Sequence, residues 1–157
     1  MFYSIIIIWV ILDLITKNLA NIYLQDKVNI LWDFVYFQFV LNPWIAFWIE
    51  IYPLLLKIIT ISLIILIFYY YKYEKKENKN EKLIDLSFWL ILAGAIWNWS
   101  ERVINSNVID FIWVKYFFVF NLADSFITIG AIIYLLILYK SSLLSPFSKG
   151  STHRGRD

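Results

Sequence analysis

The stretch that decides the fold is Ala93–Val103, AGAIWNWSERV. It closes an apolar run that begins near Leu83 and ends it in an amide, an acid and a guanidinium, Asn98, Glu101 and Arg102. Acids and amides within apolar surroundings are costly and default to functional candidates. Gly94, Asn98 and Arg102 are spaced four apart and fall on one helical stripe. The stretch therefore reads as the end of a membrane-spanning helix that turns polar residues toward a site.

Composition supports a membrane protein. The 157 residues, enough for one domain, are 61% hydrophobic, 20% aromatic and 17% charged. Soluble domains are nearer 45–50% apolar and about 25% charged. A net charge of +2 is too small to indicate nucleic acid. The absence of cysteine excludes disulfides, thiolate metal sites and cysteine catalysis. The single histidine, His153, lies in a polar tail, which argues against a histidine-based triad.

Working outward from Ala93–Val103, four runs approach the roughly 20 apolar residues that a spanning helix needs: Phe2–Asn21, Pro53–Tyr71, Leu83–Trp99 and Leu122–Tyr139. The first lacks a basic leader and a small-residue cleavage site, and reads as a retained anchor. The expected fold class is an all-α membrane protein, a four-transmembrane-helix bundle with a small extracytoplasmic β-segment. Residues 1–140 form the membrane domain, with the β-segment at about 25–48, where FVYFQFV (Phe34–Val40) is rich in aromatic and branched residues. Residues 141–157, rich in Ser, Gly and Arg, read as a flexible tail.

Charge sets the expected orientation. Five lysines crowd Lys72–Lys82, and the tail adds Lys140, Lys149, Arg154 and Arg156. The opposite side has Lys17, Lys27, Arg102 and Lys115. Positive residues stay inside, so both termini and the lysine segment are expected in the cytoplasm. Leu24–Tyr52 and Arg102–Asn121 then face outward.

Nearly every polar candidate gathers at the outer level: Asp13 and Lys17 on the first span, Asn42 after the strand, Asn98, Glu101 and Arg102, then Asp110 in the next outer loop and Asn121, Asp124 and Ser125 at the start of the fourth span. Asp13 and Lys17, four apart with the acid first, suit a structural ion pair. Asn121 suits a helix cap with Asp124 in the first turn. Arg102 also suits a snorkelling anchor. Asp110 and Asp124 fit such structural roles least well. Two aspartates meeting at a membrane surface can share one proton, because like charges in contact cannot both ionise. One can then deprotonate a water while the other polarises a carbonyl.

These residues resemble the lipoprotein signal peptidases, the membrane aspartyl proteases of bacteria. LDLITK (Leu12–Lys17), VLNPWIAF (Val40–Phe47), AGAIWNWSER, VIDF (Val108–Phe111) and FNLADS (Phe120–Ser125) are similar to five family motifs in family order. The resemblance implies removal of the signal peptide from diacylglyceryl-modified prolipoproteins, just before the lipidated cysteine. It makes Asp110 and Asp124 the catalytic dyad. Asn42, Gly94, Asn98, Arg102 and Asn121 would position the substrate and support the dyad, and Asp13, Lys17 and Glu101 would brace the fold beside it. It implies no metal and no cofactor, no nucleic acid, a membrane-lipid setting in the bacterial inner membrane, a monomer, and an active site at the outer face. The rival readings are a catalytically inactive homologue that binds lipidated peptides and, further off, a small transporter. A transporter would favour an acid at the bilayer midplane.

The chain departs from the family pattern. Glu101 stands where Asp is usual, Ala93 replaces a glycine, and Trp44 and Trp97 occupy glycine positions. The chain has 4 Gly and 8 Trp. One reading of that inversion is that tryptophans, Trp44 and Trp97 first and Trp48, Trp99 and Trp113 after them, are UGA codons that the host reads as glycine. Trp9, Trp32 and Trp89 have less to support the same reading.

Overall fold

A computed structural model describes residues 2–43, 52–77 and 81–144. Four long helices carry the chain: α1 (Phe2–Tyr23), α2 (Pro53–Glu77), α3 (Glu81–Asn105) and α4 (Leu122–Leu144). Four strands lie between them: β1 (Val28–Leu31), β2 (Val35–Asn42), β3 (Val108–Val114) and β4 (Val119–Phe120). Among the described residues, three helices are long and apolar enough to cross a membrane: Pro53–Lys76, Lys82–Asn105 and Leu122–Leu143. The expected four-helix arrangement is present as helices; by length and composition, three of them qualify as spans.

Local chemistry explains the ends. Pro53 opens α2, where its missing N–H costs nothing. Past the end of α3, Ser106 takes φ 62 and gives its N–H to the Arg102 carbonyl at 3.0 Å, a left-handed stop. The lysine segment read as a loop is largely helix, since α2 continues to Glu77 and α3 starts at Glu81. Lysine and glutamate are good helix formers. The two helix ends are tied together by Lys75 and Asp85 at 3.0 Å and by the Tyr71 hydroxyl donating to Asp85 at 2.6 Å. At the C-terminus α4 runs on to Leu144, and residues 145–157 of the expected tail lie outside the described residues.

The sheet is antiparallel in the order β1-β2-β3-β4. The expected segment at about 25–48 supplies only half of it; its residues 44–48, with Trp44 and Trp48, lie outside the described residues. The other half comes from the second outer segment. Asp110, read as a loop residue, therefore sits on β3, with Val40 opposite it and Asn42 opposite Val108. Val108–Phe111 is β-branched and aromatic enough for a strand, and it forms one because β2 supplies the pairing edge.

Packing is tightest between α3 and α4. A Cβ on Gly94 would lie 2.5 Å from the Ala123 carbonyl oxygen, and one on Gly130 would lie 2.5 Å from that of Ser87. The bundle is lined inside by Leu56, Ile84, Phe88, Leu92 and Phe126, all buried. Outward it presents large apolar side chains such as Ile8, Ile15, Leu66, Leu135 and Leu136. An apolar surface of that extent on a monomer marks an interaction face, here suited to lipid.

Candidate active site

The site forms where the N-terminus of α4, the end of α3 and strand β3 converge. Asn121 is its centre and is fully buried. Its Oδ1 accepts the N–H of Asp124 at 3.0 Å, while Asp124 Oδ2 accepts the N–H of Asn121 at 3.2 Å. This reciprocal pair is a capping box that satisfies two of the free donors at a helix start. The Asn121 side-chain amide then donates to Asp110 Oδ1 at 2.7 Å and to Asn98 Oδ1 at 3.2 Å. One asparagine thus links both aspartates and helix α3.

Asp110 is 2% exposed. Its second oxygen, Oδ2, accepts from Asn42 Nδ2 at 2.7 Å. Burial pushes its carboxyl up to about 7, the nearby charge of Asp124 adds to the rise, and the amides of Asn42 and Asn121 oppose it. Asp124 is half-buried, and its Oδ1 accepts from Asn98 Nδ2 at 2.8 Å.

Behind the aspartates lies an ionic cluster in which Asp13 and Lys17 are buried and Glu101 is partly exposed. Lys17, 1% exposed, places Nζ 2.6 Å from Asp13, 2.8 Å from Glu101 and 3.2 Å from Asn98 Oδ1. Asp13, also buried, accepts the N–H of Ala123 at 2.9 Å. An anion at a helix N-terminus meets both a free donor and the positive end of the helix dipole. Lys17 and Asp13 thereby fasten α1 to α3 and α4 at the level of the aspartates. Burying these charges is tolerable because each has an opposite charge and further hydrogen bonds.

The structure brings Asp13, Lys17, Asn42, Asn98, Glu101, Asp110, Asn121 and Asp124 into one connected network. Arg102 donates to the Asn98 carbonyl at 3.5 Å and acts electrostatically on Asp124 and Asp110. Gly94, without a side chain, stands outside this network; it sets the close approach of α3 to Ala123. Two features escaped the sequence reading. The bond from the Ala123 N–H to Asp13 joins residues far apart in the chain and has no local signature. The pairing of Glu101 with Lys17 is equally long-range. Among the described residues, no group of three or more His, Cys, Asp and Glu side chains is arranged to hold a metal ion.

The chain is similar to known proteins over most of its length. Residues 5–140 match the family model described as signal peptidase (SPase) II. A lipoprotein signal peptidase of Chlorobium phaeobacteroides is 34% identical over 159 aligned residues, covering 90% of each chain. Its counterpart in Pelodictyon phaeoclathratiforme is 32% identical, covering 97% of this chain and 96% of that one. A bacterial membrane enzyme solved at 2.3 Å resolution superposes with a TM-score of 0.75 at 26% identity, over 99% of this chain and 94% of that one. The match in sequence and fold, end to end, places the chain in the signal peptidase II family.

Proposed function

We propose that this chain is an aspartic endopeptidase that removes the signal peptide from diacylglyceryl-modified prolipoproteins, cleaving before the lipidated cysteine, with Asp110 and Asp124 as its catalytic pair. The observation that carries the reading is the Asn121 bridge, in which one buried residue hydrogen-bonds to both aspartates. Asp110, enclosed and pushed up to about 7, holds the shared proton. Asp124, less enclosed, supplies the charge. In the cleavage step Asp124 takes a proton from water as the water oxygen bonds to the scissile carbonyl carbon. The Asp110 proton passes to the carbonyl oxygen. Collapse of the resulting diol breaks the C–N bond, and a proton returns to the departing amine. The pair titrates as a unit.

Other residues keep supporting roles. Asn42 and Asn98 hold the two carboxyl groups in place, Arg102 shapes the substrate path, Gly94 seats α3 against the start of α4 that carries Asp124, and Asp13, Lys17 and Glu101 brace the bundle. The outward Ile8, Ile15 and Ile22 of α1, all exposed, support its reading as a fourth span; its 22 residues reach about 33 Å at 1.5 Å per residue. With the lysine-rich segment Lys72–Lys82 inside, both termini are cytoplasmic and the site opens at the outer face of the bacterial inner membrane. There the lipid tails of the substrate stay in the bilayer while the peptide bond meets water. The enzyme works as a monomer without metal or cofactor.

The test is a gel-shift cleavage assay on a diacylglyceryl-modified prolipoprotein in detergent, comparing the chain with Asp124→Asn. Cleavage that disappears in the variant supports the pair, and cleavage that persists removes Asp124 from the mechanism. Binding without turnover by the unaltered chain would identify an inactive lipopeptide binder instead.

A further inference from the structure

We propose that positions 32 and 97 are glycine in the working protein, because its source cell reads UGA codons there as glycine rather than tryptophan. Two unrelated structural observations meet on this point, and composition gives it a cause.

Residue 32 lies in the turn that joins β1 to β2. The Phe34 N–H bonds to the Leu31 carbonyl at 3.0 Å, so Trp32 is the first of the two central residues. Its φ is 44, while Asp33 is not left-handed. Leu31 pairs with Val35, so this turn sits inside a three-residue loop. A β-turn with positive φ at only its first central position is of the II′ kind, which calls for glycine there. A side chain with a Cβ is strained in that region, and glycine is not. Trp32 gains nothing in return, since it is 85% exposed.

Residue 97 fails in the opposite way, by being packed. It follows Gly94 by one turn on α3, at the place where α3 comes too close to Ala123 for a Cβ at position 94. Its ring lines a narrow crevice with Trp9, Gly94, Ala123 and Phe126, beside the capped start of α4. Its indole N–H is buried with no acceptor. Buried indole N–H groups usually find a partner, and leaving a buried donor unpaired is costly. A glycine would remove the orphan donor and continue the close approach that Gly94 begins.

Other tryptophans behave differently. Trp113 gives its N–H to the Gln38 carbonyl at 3.0 Å and stacks on Tyr36, Trp99 gives its own to the Lys57 carbonyl at 3.0 Å, and Trp89 packs edge-on to Tyr71. Their surroundings suit tryptophan, and they stand outside the proposal. A left-handed aromatic is not by itself decisive, because Tyr116 takes φ 65 in the next turn. The composition separates the cases. The chain has 4 Gly, where about 7% usage predicts about 11 for this length, against 8 Trp, so glycine is scarce while tryptophan is abundant. UGA is the codon that a decoder can write as tryptophan where a cell inserts another residue.

The test is mass spectrometry of the protein purified from its own cells, read beside the codons of its gene. Tryptic peptides Val28–Lys57 and Leu83–Arg102 contain the two positions. Glycine at both 32 and 97, each encoded by UGA, is the expected result. A UGG codon or a tryptophan mass at either position overturns the proposal. The outcome does not depend on activity, so it is independent of the proteolytic reading.

Discussion

Replacing Asp110 with asparagine should abolish cleavage and at the same time remove the loss of stability that the buried carboxyl imposes as pH rises through neutrality. The carboxyl is pushed from 3.8 to about 7. The native state therefore binds that proton more tightly than the unfolded chain does. Its contribution to stability is complete below the unfolded value and is lost as pH rises through the folded one. At about 1.36 kcal/mol per unit, the loss is at most about 4.4 kcal/mol above pH ~8. Asparagine has nearly the same shape, leaves no cavity and carries no charge to bury, but its NH2 must face one of the two donors, Asn42 or Asn121, that the carboxylate accepts, a cost that does not vary with pH. The advantage of the variant should grow by about 2–3 kcal/mol between pH ~5 and pH ~8. Thermal or denaturant unfolding in detergent at the two pH values measures it, with the gel-shift assay run in parallel. The unaltered enzyme should lose activity as pH rises past about 7, where Asp110 gives up its proton. A stability gap that stays flat with pH would refute the raised proton affinity of Asp110. Cleavage by the asparagine variant would refute its catalytic role.

Three further outcomes follow from the same geometry. Asn42→Ala removes a donor that holds the Asp110 carboxylate, so the alkaline limb of the activity profile should move to higher pH; a shift to lower pH contradicts the assigned bond. Lys17→Met strips the ammonium from two carboxylates, Asp13 and Glu101, and should cost about 3–5 kcal/mol, partly recovered by adding Glu101→Gln. An unchanged unfolding midpoint would show that the cluster is not held by that charge. Gly94→Ala pushes a methyl against the Ala123 carbonyl and should destabilise by about 1–3 kcal/mol, read by denaturant unfolding, with a neutral result contradicting the close α3–α4 contact.

Much of this was legible in the chain because it is written locally. The helical runs, three of which are long and apolar enough to span a membrane, the spacing of Asp13 and Lys17, and the capping pattern of Asn121 and Asp124 each depend on a few consecutive residues. Hydrophobic burial and helix capping act over that range. The lysine segment misled for a related reason, since charge marks the aqueous side of a membrane but does not stop a helix of good helix formers. The turn at Trp32 is a different failure. Its backbone angle is set by the pairing of β1 with β2, and nothing in LWDF by itself announces a left-handed residue.

The sequence by itself determined the helical membrane class, the list of polar residues at one level, and a resemblance that named the two aspartates. Only the tertiary structure decided how they work together. It placed Asp110 on a strand that exists because β2 lies beside it, joined Asp110 to Asp124 through one buried asparagine, and brought Asp13 of the first helix onto the N-terminus of the last. Those contacts join distant segments, and their strength comes from burial. Water would screen each of these hydrogen bonds and ion pairs in the open chain, and the packed bundle excludes it.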